Sequence, residues 1–178
     1  KHDLKEQIIN QNQNLYIFGA GHVANALLSK LDGVGFNIFV IDSRENFISK
    51  INADYVFPIL SKEHNVIIKN TPSKSYYLIM THSHQLDLTI CDLLLKKNDY
   101  EFIGLIGSKT KKTRFTKRLM EIGYDQKSIN NIECPIGINS IKGKEPDVIA
   151  ISIIARLLEY QSSLTNNEKN YIKLVQNS

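Results

Sequence analysis

The chain has 178 residues, 42% of them hydrophobic and 22% charged, with a formal net charge of +4 and two cysteines. That length suits a single core, and the composition excludes a disordered chain. No apolar run reaches the roughly 18 residues of a membrane span, and two distant cysteines exclude a zinc motif or disulfide framework, so no membrane association and a cytoplasmic setting are expected. The lysines cluster between Lys109 and Lys117, which favours a local anion site over a nucleic-acid surface. The first residue is Lys rather than Met, so removal of an upstream segment is expected.

Residues 1–14 read as a polar lead-in, 15–162 as the folded domain and 163–178 as a polar tail. Leu15 to Phe18 is a short apolar run ending in Gly19-Ala20-Gly21, followed by helical spacing through Val23, Ala26, Leu27 and Leu31. Phe36 to Ile41 predicts a second buried strand closing at Asp42, and Tyr55 to Ile59 a third that Pro58 weakens. Tyr76 to Met80 then feeds a helix through Leu86, Ile90 and Leu94, and Phe102 to Ile106 feeds a basic helix ended by Gly123. After a short turn or helix near Asp125 to Asn131 and an irregular stretch at Cys134-Pro135-Ile136-Gly137, Pro146 opens a long apolar helix to about Tyr160, with a loose helix beyond Ser162. Continuous apolar strands alternating with helices predict an α/β fold, a Rossmann-like doubly wound parallel sheet with helices on both faces.

The sharpest local signal is Gly19-x-Gly21-x-x-Ala24 between a strand and a helix, with Asp42 about 20 residues on. Gly19 permits the tight turn, Gly21 lets backbone amides approach a phosphate, and Ala24 lets the helix pack closely. The first-turn N–H groups then face an anion, and His22 faces it too. Asp42 is the expected acceptor for a ribose, with Ser43 beside it, while Arg44 is placed for a 2′-phosphate, so the residues leave NAD and NADP equally open. A compact turn in an empty fold is the bland reading of the same glycines.

Gly107-Ser108-Lys109-Thr110-Lys111-Lys112 is a second anion cradle at a strand end, and the two bends are expected to point into one shared hollow. Thr81, His82 and His84 follow the Tyr76 strand at the same edge. His82, His84 and Asp87 are candidate metal ligands, with a substrate contact or hydrogen-bonded loop preferred. Cys134, beside Pro135, is expected to be exposed with its thiol pKa lowered by lysines, whereas Cys91 falls in an apolar helical pattern and belongs to the core.

These segments together resemble the XdhC/CoxI family of xanthine dehydrogenase accessory proteins, in their carboxyl-terminal Rossmann domain. The likeness runs through Ile17 to Ala24, Val40 to Glu45, Met80 to His84 with Asp87, and Ile103 to Lys109 with Lys112, Arg114 and Phe115. It continues through Cys134 to Gly137 and through Pro146 with Ile149 to Ile153, covering most of residues 15–160 in order. The resemblance implies a carrier without turnover of its own that binds molybdenum cofactor (molybdopterin), protects it during sulfuration and delivers it to a xanthine dehydrogenase-type hydroxylase. Gly19, Ala20, Gly21, His22, Val23, Asp42, Ser43, Arg44, Thr81, His82, His84, Gly107, Ser108, Lys109 and Cys134 are the expected cofactor contacts, and Cys134 is a candidate ligand or shield for molybdenum on its expected exposure and thiolate chemistry alone.

Implied partners are the apo-hydroxylase, a cysteine desulfurase and a second copy of the chain. Members of the family carry a further amino-terminal domain, for which 178 residues leave no room, and Arg156 stands where an acid is more usual. The competing expectations are an NAD(P)-dependent oxidoreductase with His82 or His84 as proton donor, and an interaction domain with an empty pocket.

Overall fold

The computed structural model describes residues 12–176, with side chains to residue 166. The first four strands and their helices follow in order: β1 (Gln13–Phe18), α1 (His22–Leu28), β2 (Phe36–Asp42), α2 (Glu45–Ile48), β3 (Val56–Leu60), α3 (His64–Asn70), β4 (Tyr76–Ile79) and α4 (His84–Lys97). They are followed by β5 (Phe102–Leu105), α5 (Lys109–Ile122), α6 (Gln126–Ile129), β6 (Ile132–Glu133) and α7 (Pro146–Gln176).

All pairings are parallel, in the order β3-β2-β1-β4-β5-β6. The chain starts in the middle, winds outward to β3, then returns across the sheet to β4, so the direction of winding reverses between β1 and β4. In open α/β sheets this switch point leaves a crevice at the carboxyl ends of the two strands.

Period-2 alternation of the strands feeds two cores. Leu15, Ile17, Ile38, Val40, Tyr76 and Leu78 point to the face covered by α1 and α7, which pack on each other. Tyr16, Phe18, Tyr77, Ile79, Ile103 and Leu105 point to the opposite face with Ile90, Leu94, Phe115 and Leu119 of α4 and α5. Burial on both faces explains why the strands read as unbroken apolar runs.

Pro58 does sit in a strand, opposite Val40, because β3 is the sheet edge, where a missing N–H is tolerated. Capping matches the sequence at several ends: the hydroxyls of Ser83 and Ser108 accept from Leu86 N and Lys111 N, and Gly123 closes α5 in the left-handed region.

Three boundaries differ from expectation. β1 begins at Gln13, two residues inside the expected lead-in, because Asn14 and Gln13 pair with β2 despite their polarity. The helix from Pro146 does not loosen at Ser162 but runs unbroken to Gln176. β6, with two residues, is too short to show alternation, yet Ile132 and Glu133 pair with Ile103 and Gly104. Most of the lead-in, residues 1–11, lies outside the described residues.

Candidate functional site

Two glycine bends stand at the carboxyl edge, after β1 and β5, with only β4 between those strands. Two strand spacings put the strand ends about 10 Å apart.

In the first bend Gly19 has φ +107, and a Cβ there would lie 2.3 Å from the Met80 carbonyl oxygen. Glycine is required by the protein itself at that position. Gly21 is different: its φ of −78 suits any residue, and a Cβ added there meets nothing within 4 Å. The bend's first two amides are consumed internally, Gly19 N donating to the Ile41 carbonyl and Ala20 N to Asp42 Oδ2 at 2.8 Å. The amides of Gly21, His22 and Val23 have no protein partner among the described residues, and no side chain caps α1. His22 is exposed beside them and Val23 half-buried. Unpaired amides over open space are the physical requirement for holding an anion.

Asp42 departs from its expected role. Its carboxylate is buried at 4% exposure and accepts four hydrogen bonds: Ala20 N and Arg44 Nη2 on Oδ2, Arg44 N and Nε on Oδ1. Burial pushes its pKa up, but the Arg44 guanidinium and the Ala20 and Arg44 amides pull harder and hold it at about 2. A carboxylate has about four acceptor positions, so none is left for a ribose. Arg44 in turn lies over the Phe47 ring, 3.8 Å from its centre, and Ser43 is half-buried.

The second bend is built differently. Ser108 spends its hydroxyl on capping α5, and Lys111 turns inward rather than toward solvent. Its ammonium pairs with Asp87 Oδ2 at 2.5 Å and donates to the Ile106 carbonyl, while Asp87 Oδ1 accepts from the Thr81 amide and hydroxyl. Gly107 leaves room for this, since a Cβ on it would lie 2.4 Å from the Lys111 side chain. A buried ion pair therefore ties the β4–α4 loop to the β5–α5 loop. Lys109 and Lys112 remain exposed.

The candidate metal set is taken apart by this pairing. Asp87 is buried and occupied by Lys111 and Thr81, whereas His82 and His84 are exposed. No three metal-ligating side chains converge among the described residues.

Cys134 also corrects its expectation. It is 5% exposed, and burial raises its thiol pKa against the opposing pull of Lys111 and Lys112. It lines the floor of an open cavity of about 1090 Å³ between the first turn of α5, the 134–140 loop and α7. Lys109 and Lys112 stand on one wall of that cavity and Arg156 on the other, held by both carboxylate oxygens of Glu133. A second cavity of about 310 Å³ adjoins it around Gly107 and Ile136. The Gly19–Val23 bend lines neither, so these cavities do not join the two bends into the single hollow expected. Cys91 lies in the core as expected.

Glu133 is a site-edge residue that sequence reasoning did not assign, Lys111 was read as part of the anion cradle rather than as a buried ion-pair partner, and Arg156 was noted only as a departure from the family. Only Gly107, four residues before Lys111, hints at the buried lysine; Glu133 and Arg156 meet across 23 positions with no local signal.

Strand order, switch point and the glycine bend after β1 define a Rossmann-type α/β domain. The model of the XdhC Rossmann domain matches residues 15–157, and the chain belongs to that family. It is 25% identical over 150 residues to the uncharacterized protein YqeB of Escherichia coli (strain K12), a match covering 84% of this chain and 27% of YqeB. A Bacillus halodurans crystal structure described as a xanthine dehydrogenase superposes with a TM-score of 0.70 at 31% identity, over 85% of this chain and 43% of that one. The chain thus spans less than half the length of these relatives.

Proposed function

We propose that this domain is the anion-binding part of a xanthine dehydrogenase accessory protein and holds a phosphate-bearing molybdenum cofactor as cargo for delivery to the hydroxylase. The observation that carries the reading is Gly21: neither its backbone angles nor its protein neighbours require glycine. A ligand pressed against the backbone supplies the requirement, and the free amides of Gly21, His22 and Val23 supply the recognition. Thr81 spends its amide and hydroxyl on Asp87, while His82 and His84, across the switch point, and Lys109, beyond β4, offer further donors along the same edge. The cargo's metal supplies its redox chemistry only in the client enzyme; this chain binds and shields.

The fit has a limit at Cys134. A buried thiol with a raised pKa is protonated near neutrality and is a poor ligand for molybdenum, so its place in the reading is as cavity floor. The nicotinamide oxidoreductase reading loses support at Asp42, whose acceptor positions are filled. A cysteine desulfurase and a second copy of the chain stay part of the proposal through family membership alone.

The test is purification under anaerobic, reducing conditions followed by molybdenum and pterin analysis. Both are expected near stoichiometric amounts after loading, and transfer to apo-hydroxylase is expected to restore its activity. Absence of both after loading excludes the carrier role.

A further inference from the structure

The Asp42–Arg44 pair stands where a dinucleotide-binding sheet recognises the ribose of its ligand, at the end of the strand next to the glycine bend. Here the place is filled from within. Two guanidinium N–H groups and the Arg44 amide take three acceptor positions on Asp42, and the Ala20 amide takes the fourth. The guanidinium also lies over the Phe47 ring, and the Arg44 side chain is only 28% exposed. Displacing it would leave a buried carboxylate without its cation, which is costly.

We infer that Arg44 acts as an internal plug of the ribose subsite, so that the bend refuses nicotinamide dinucleotides and accepts an anionic ligand that extends toward β4 and β5 instead. The inference deepens the carrier reading, since it rests on the bend being a ligand site. It names Arg44 as the residue that sets specificity.

Calorimetry with NADH and NADPH separates this inference from the carrier role, because it needs no molybdenum ligand. The wild-type chain is expected to bind neither. Arg44→Ala and Arg44→Met, the second retaining an apolar stem over Phe47, free acceptor positions on Asp42 and are expected to tighten NADH binding about tenfold or more, the worth of one or two hydrogen bonds to a charged group. Adding Gly21→Leu to either variant is expected to abolish the gain, which places it at the bend. Wild-type binding of either dinucleotide as tight as that of the variants overturns the inference. So does no gain in variants whose circular dichroism matches wild type. If both variants fail to fold, wild-type binding of NADH alone decides.

Discussion

The bend after β1 and the bend after β5 are made from similar glycine-containing sequences at one sheet edge, yet the chain finishes only the second. Ser108 caps its helix and Lys111 anchors it to Asp87, so most of its polar groups already have partners. In the first, Gly19 is fixed by contact with Met80 while Gly21 is left open with three unpaired amides beside it. The contrast separates glycine as a structural necessity from glycine as an invitation to a ligand. A positive φ or a Cβ that collides with protein marks the former, and Gly21, which has neither, marks the latter.

The comparison breaks most visibly at Lys111. Lys111→Met leaves Asp87 buried without its cation and is expected to cost about 3–5 kcal/mol of stability by urea denaturation. A loss below about 1 kcal/mol, the range of surface pairs, would show that the pair is not buried in solution. Gly19→Ala comes next. Its collision with Met80, added to the positive φ, is expected to cost about 3 kcal/mol by the same measurement.

Asp42 gives a smaller, pH-dependent effect. Its folded pKa of about 2 lies below the ordinary 3.8, so its contribution is complete above about pH 4 and is lost as the pH falls through about 2. The amount is roughly 2 kcal/mol. Urea midpoints between pH 5 and pH 2 are expected to fall less steeply in Arg44→Ala, because that variant lacks the main source of the depressed pKa. The smallest effect belongs to Gly21→Leu, which touches no protein atom within 4 Å at its Cβ and is expected to leave stability within about 0.5 kcal/mol of wild type.

The strands of the centre and both glycine bends were legible because fully buried parallel strands and phosphate-type turns leave local signatures. Asp42 was read as the acceptor for a ribose, and its internal partners Ala20 and Arg44 were not foreseen. Whether a carboxylate faces solvent or the Ala20 amide is decided by the distance between two strand ends, which no local pattern encodes. Cys134 failed for a similar reason: a proline and a glycine nearby look like exposed loop, while Leu105, Phe115 and Ile132 bury the thiol from other elements. The metal set failed because Asp87 found a cation from α5, 24 residues away. Short α2 and α3 and the two-residue β6 offered too few turns or alternations to read.

The account stands most directly on the pterin content of anaerobically loaded protein in wild type and Gly21→Leu. It predicts near-stoichiometric pterin in the first and a loss of most of it in the second, at an unchanged thermal midpoint. Equal pterin in both would contradict the role given to the open bend, as would a wild-type chain that loads none.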